Sequence, residues 1–366
     1  LRSRARKPVR RQGGPASSSN HHRFYPTDAQ AAELSRTFGC VRKVYNLALA
    51  ARTEAWTLRQ ERVNYNVTSA MLTACKKTEE LAYLNDVSSV PLQQALRHLQ
   101  TAFTNFFAKR AGYPRFKSRK RSRKSAEYTT SAFRFRDGKL TLAKMAEPLD
   151  IVWSRPLPEG ATPSTVTVSQ DAAGRWYVSL LCEDPAVKPL TATDTAVGVD
   201  AGLDHLLTLS TGEKITNPRH ERRDRARLAK AQRALSRKAK GDGDGANRAR
   251  ARRKVARIHA RIADRRRDNL HKLTTRLVRE NQTIVIEDLT VRNLLKNGHL
   301  ARAISDAAWS EFRSMLEYKA QWYGREVIAV KAAGLAVSVC GAGVRPQRSI
   351  PGGQSAMKQE PLRREP

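Results

Sequence analysis

Two apolar runs in this chain each finish on a carboxylate: Val197-Gly198-Val199-Asp200 and Ile284-Val285-Ile286-Glu287. Both read as buried strands, so the acids sit where a strand delivers a side chain to a rim. Acids brought together by neighbouring strand ends can hold divalent cations. Hydrolysis of a phosphodiester by two Mg²⁺ ions takes about three such groups, because one ion activates the water and the other stabilises the leaving oxygen. The third should come late in the chain, yet no Asp follows Asp306, and beyond Glu326 the only acids are Glu360 and Glu365. Asp200 and Glu287 are therefore the candidate catalytic and Mg-binding residues of a centre short of a ligand. Asp288 and Asp306 are the nearby substitutes, but Asp288 follows Glu287 along the strand and should point the opposite way.

The charge says what such a centre would act on. Lys+Arg 68 against Asp+Glu 34 gives +34 over 366 residues, far more than solubility requires. A polyanion is the expected partner, and nucleic acid fits better than a membrane, since no apolar run reaches bilayer length and no charged stretch followed by an apolar one reads as a secretory signal. A cytoplasmic, nucleoid-associated protein is the expectation. The chain begins at Leu1 rather than Met, as a fragment or an unusual start would. Cys40, Cys75, Cys182 and Cys340 are widely separated with no C-x-x-C pair, which predicts structural thiols and no zinc.

The elements that must position the acids follow from pattern. Residues 1–22, basic and then rich in Gly and Ser, read as a disordered arm, and the His21-His22 pair within it as a solvated loop. A helix starts at Thr27, with Gln30 at capping-box spacing. Another follows Ser88-Ser89-Val90-Pro91, with a shorter one around Met71 to Cys75. The aromatics of these helices read as core rather than base-stacking surfaces. Short strands and tight turns, such as Asp137-Gly138, then predict a small β-barrel or sandwich. After the Asp200 strand and a hairpin, an intensely basic stretch from Arg219 to Arg279 breaks once at Gly241–Gly245 and reads as two antiparallel helices. Leu228, Leu235, Val255, Ile258, Ile262, Leu270, Leu273 and Leu277 supply its apolar stripe. The nucleic-acid contacts expected on charge are Arg42 and Lys43, the connector residues Arg115, Lys117, Arg119 and Lys120, and Arg222, Arg223, Arg253 and Arg257 of the hairpin.

Strand to Asp, hairpin, helical insertion, strand to Glu is the order of an RNase H-like domain. Together with Arg23-Phe24-Tyr25-Pro26-Thr27, Phe38 to Asn46, Pro114-Arg115-Phe116-Lys117-Ser118, Leu300 to Trp309 and Leu316-Glu317-Tyr318-Lys319-Ala320, it resembles the TnpB (OrfB) proteins of insertion sequences, relatives of type V CRISPR effectors. The resemblance spans about Arg23 to Val330. It implies an α+β chain: a helical recognition lobe (23–125, with a first barrel strand near 23–26), a wedge-like β-barrel (126–190), a RuvC-like domain (191–335) with a helical insertion (219–279), and a disordered tail (336–366). It implies as partners a guide RNA from the element's end and double-stranded target DNA, with Mg as cofactor where cleavage is active. Family members bind target DNA beside a short target-adjacent motif, and Tyr65 and Gln93 look like the positions of the recognition lobe that face the duplex carrying it.

The resemblance also exposes a departure. Family members follow the Val327–Val330 strand with a zinc ribbon and a segment bearing the last catalytic Asp, whereas here Val330 runs directly into Lys331-Ala332-Ala333-Gly334-Leu335. An internal loss is the expectation, and with it an RNA-guided DNA-binding protein whose cleavage is impaired or absent. The alternatives are an active endonuclease using another acid, a decayed product without function, and an unguided helix-turn-helix DNA binder.

Overall fold

The computed structural model describes residues 17–120, 122–154, 156–157, 160–183, 188–238 and 245–331. The tail 336–366, Cys340, most of the predicted arm, and residues 239–244 around the break in the basic stretch lie outside the described residues. The chain divides into two units, Leu1–Pro189 with His220–Asp268, and Leu190–Arg219 with Asn269–Pro366.

In the first unit the elements are β1 (Ser17–Tyr25), α1 (Asp28–Arg59), α2 (Tyr65–Cys75), α3 (Ser89–Phe107), β2 (Lys124–Thr129), β3 (Phe133–Arg136), β4 (Lys139–Leu142), β5 (Asp150–Val152), β6 (Pro163–Gln170) and β7 (Trp176–Glu183). The helical hairpin adds α4 (His220–Ser236) and the first part of α5 (Ala246–Glu280). Thr27 caps α1 as its spacing predicts: its Oγ1 accepts from the Gln30 amide at 3.2 Å, while Gln30 Oε1 accepts from the Thr27 amide at 3.1 Å.

Two expectations change here. Residues 17–22 are not an arm but the first two thirds of β1, which pairs antiparallel with β7 from Ser17↔Glu183 to Phe24↔Trp176. Backbone pairing suffices to hold so polar a strand, and its alternation buries His22 beside Trp153 while His21 stacks on Tyr177 at 4.6 Å. The predicted solvated histidine loop is thus a strand with its two rings on opposite faces. Nor do the described strands close a barrel. They form an open antiparallel sheet in the order β2-β6-β7-β1-β5, with β3-β4 as a separate hairpin. Side chains of α1 and α3 share one core with the sheet, including Phe38 of α1 stacked on Trp176, so helices cover the apolar face that a barrel would enclose.

In the second unit β8 (Ala196–Ala201), β9 (His205–Leu209), β10 (Lys214–Thr216), the end of α5, β11 (Thr283–Glu287), α6 (Val291–Leu294), α7 (Ala301–Ala307), α8 (Trp309–Tyr323) and β12 (Glu326–Val330) follow. The sheet order is β10-β9-β8-β11-β12. The first three strands are antiparallel, while β8, β11 and β12 are parallel. The single stripe expected along the basic hairpin splits. Leu228, Val255, Ile258 and Ile262 form a small core between α4 and α5, whereas Leu270, Leu273 and Leu277 enter the core of the second unit with Ile284, Ile286 and Phe312. No helix among the described residues is long and apolar enough to cross a membrane.

Candidate functional site

The register of the second sheet sets the two acids side by side. β8 and β11 pair in parallel through Ile286↔Val199, so Glu287 and Asp200 are the next residues on adjacent strands, about 4.8 Å apart along the hydrogen-bonding direction. Val330 closes the row on β12, in register with Glu287, and Thr208 of β9 flanks Asp200 on the other side. The carboxyl ends of three parallel strands thus line up, the position at which open α/β sheets gather ligands. Asp200 is exposed and Glu287 half-buried. Glu287 also lines a cavity of about 360 Å³ with Val199, Trp309, Arg313 and Glu317, whereas Asp200 does not reach it.

No group of three or more His, Cys, Asp or Glu side chains that could hold a metal exists among the described residues. Asp288, one residue beyond the strand, is engaged by α8: Arg313 donates to its Oδ1 at 2.5 Å and to Glu317 at 2.8 Å. These two carboxylates hold the guanidinium firmly protonated. Asp306 sits half-buried on α7. Two carboxylates fit one cation completed by water; they do not fit a two-metal centre.

The basic residues fall into three groups. Arg42 of α1 and Lys117 and Arg119 of the connector line one cleft, together with Arg123 and Lys124, which charge alone had not singled out. Asn46 builds that cleft by binding the Lys117 backbone from both sides, accepting from its amide at 2.8 Å and donating to its carbonyl at 2.9 Å. Lys117 Nζ lies 3.9 Å over the Tyr45 ring, and burial lowers its pKa. Lys43, Arg115 and Lys120 are exposed but are not part of that lining. A second group joins α2 and α3: the Arg97 guanidinium lies 5.6 Å over Tyr65, and Gln93, one turn before Arg97, is exposed on the same helix. The third is the hairpin, where Arg222, Arg223, Arg253 and Arg257 are all exposed.

A model described as "Probable transposase" of the OrfB family matches residues 178–298, one described as a helix-turn-helix domain matches 21–61, and one described as the Cas12f1-like TNB domain matches 309–351. A Streptomyces pristinaespiralis protein named "Putative RNA-guided DNA endonuclease" is 66% identical, over 93% of this chain and 96% of its own length. The chain belongs to the TnpB/OrfB family. Another TnpB/OrfB relative, InsQ of Escherichia coli K12, which carries the same description, is 34% identical over 84% of this chain and 79% of its own. Among solved structures, a chain of the Cas12f1–sgRNA–target DNA complex, determined by cryo-EM, matches with a TM-score of 0.51 at 14% identity, over 85% of this chain and 76% of that one, a likeness of fold alone.

One family-matched segment looks different in this TnpB/OrfB chain than its description suggests. The helix-turn-helix match falls on the end of β1 and on α1, one helix unbroken from Asp28 to Arg59. The match at 309–351 begins on α8, which carries Lys319. It is buried, and its Nζ donates to His271 O, Thr274 Oγ1 and Thr275 Oγ1 at 2.7–2.8 Å. Its signal was its place in the apolar stripe Phe312, Met315, Leu316, Ala320.

Proposed function

We propose that this chain is an RNA-guided DNA-binding protein whose RuvC-type nuclease domain, residues 191–335, keeps two of its metal-binding acids and has lost the capacity for efficient cleavage. One observation carries the reading: Asp200 and Glu287 stand next to each other at the carboxyl ends of β8 and β11, while no third acid joins them among the described residues. The strand order, three antiparallel strands followed by two parallel additions on the far side of the first, supports an RNase H-like domain around them. Guide RNA and target DNA are supported by the descriptions of the relatives and by the +34 charge, which a hybrid-holding channel requires. An internal loss is supported by the match to the Streptomyces relative: 388 aligned positions exceed the 366 residues present here, so that relative carries residues within the matched span that this chain lacks.

The chemistry follows from the missing ligand. With Asp200 and Glu287 alone, an Mg²⁺ ion could be bound, but the second ion and the water it would orient lose their anchor. Rate losses of several orders of magnitude are usual when such groups vanish. Asp288 is a poor replacement because Arg313 already engages it.

The test is expression together with the RNA transcribed beside the gene, followed by sequencing of the bound RNA, binding to a guide-matched duplex, and Mg²⁺-dependent cleavage beside the Streptomyces relative. Co-purified RNA and guide-dependent duplex binding are expected, with cleavage several orders of magnitude below the relative and unchanged by Asp200→Asn. Cleavage equal to the relative's and abolished by Asp200→Asn would overturn the impaired reading. RNA-free protein that still selects a duplex site would favour an unguided DNA binder.

A further inference from the structure

The connector between α3 and β2 exposes an aromatic ring that the core does not use. Phe116 is 61% exposed and makes none of the ring contacts found among the described residues. On a slack loop such a ring would fold onto the nearest apolar surface, because burying it is favourable. The backbone on both sides prevents this. Pro114 is buried, the Tyr113 hydroxyl lies 2.9 Å from Thr53 Oγ1, and the Tyr113 ring meets Phe103 and Phe106 edge-on. On the other side Asn46 clamps the Lys117 amide and carbonyl. Phe116 is therefore held outward between fixed neighbours.

The chain on either side of it is cationic. From Val87 to Ala126 the sequence contains no Asp or Glu. Arg42, Arg119 and Arg123 line the cleft that begins at the next residue, Lys117. A preset, exposed ring one residue from a basic cleft is a combination suited to single-stranded nucleic acid: phosphates meet the cations, and a base of any identity stacks on the ring. We propose that Phe116 is a stacking platform for an unpaired base of a single-stranded segment whose flanking phosphates lie against Arg42, Arg119 and Arg123. The inference deepens the RNA-guided reading and rests on it only for the source of the strand. An aromatic beside the Asn46 clamp thus serves recognition, not packing.

The test uses the full chain, freed of bound RNA by high salt, and measures anisotropy with four probes: single-stranded RNA, single-stranded DNA, abasic strands of equal length and charge, and a blunt duplex. Phe116→Ala should weaken binding of base-containing strands by about ten-fold or more, with Phe116→Trp restoring it. Abasic and duplex probes should change by less than about two-fold. Whichever of RNA and DNA shows the loss identifies the source. An exposed ring should leave the melting temperature of Phe116→Ala unchanged, so folding does not confound the comparison. Equal losses on abasic and base-containing strands, or none on either, would sink the stacking role while leaving guided binding intact. A wild-type chain that binds none of the probes would overturn both.

Discussion

Lys319 joins two helices of the second unit through one side chain. Its ammonium ties α8 to the end of α5 through His271, Thr274 and Thr275, and burial pushes its pKa from the ordinary 10.5 down to about 8. Between about pH 8 and 10.5 the unfolded chain holds a proton that the folded chain has released, so the contribution of this residue to stability rises with pH across that window. Melting temperatures of the wild type and Lys319→Met, measured at steps from pH 7.5 to 10, should show the difference moving in the wild type's favour. A difference that stays flat would mean that folding does not perturb the lysine. The same scale explains what sequence could reach at the centre. Asp200 and Glu287 were legible because a strand-ending acid after apolar residues is a local pattern. The engagement of Asp288 by Arg313, 25 residues away, was not legible, because nothing local to Asp288 names a partner on α8.

Elements were readable where their signal was local, and were misread where partners decided. The Thr27 capping box, the Asp137-Gly138 turn with positive φ at both residues, and the two basic helices follow from neighbouring residues alone. β1 did not, because Ser17–Asn20 offer no apolar alternation and exist as strand only through β7. The open sheet was likewise hidden, since nothing in the strands themselves says that α1 and α3 will occupy the face a barrel would close over. The junction that positions Asp200 offers a sharp test. A Cβ at Gly202, in the β8–β9 turn, would lie 2.8 Å from the His205 carbonyl oxygen, whereas one at Gly298 would meet nothing within 4 Å. Gly202→Ala should therefore cost about 1–3 kcal/mol through forced displacement of the turn, while Gly298→Ala should stay within about 0.5 kcal/mol. Denaturant unfolding checks both, and equal stabilities would show that the turn yields without strain.

At the scale of the whole molecule, charge is the dominant fact, and it is not neutralised internally. In the hairpin the acids Glu221, Asp224 and Asp264 are each bound to an arginine (Arg225, Arg265 and Arg175), yet Arg222, Arg223, Arg253 and Arg257 remain exposed. Like charges at this density repel one another along a helix, so the folded hairpin gains from any polyanion that spreads over it. Two readings of these arginines differ in one measurable quantity. If they meet phosphates, binding releases counterions, and the logarithm of the association constant falls linearly with the logarithm of salt concentration, by roughly 0.7–0.9 per phosphate. Replacing the four arginines with Gln should then make that slope shallower by about three, weaken RNA and DNA of every sequence alike, and remove most of the stabilisation that RNA gives in a thermal melt. If they form only a solvated face, the slope will not move, and the excess charge must act through the Arg42–Lys117–Arg119 cleft, where the same substitutions would shift it instead.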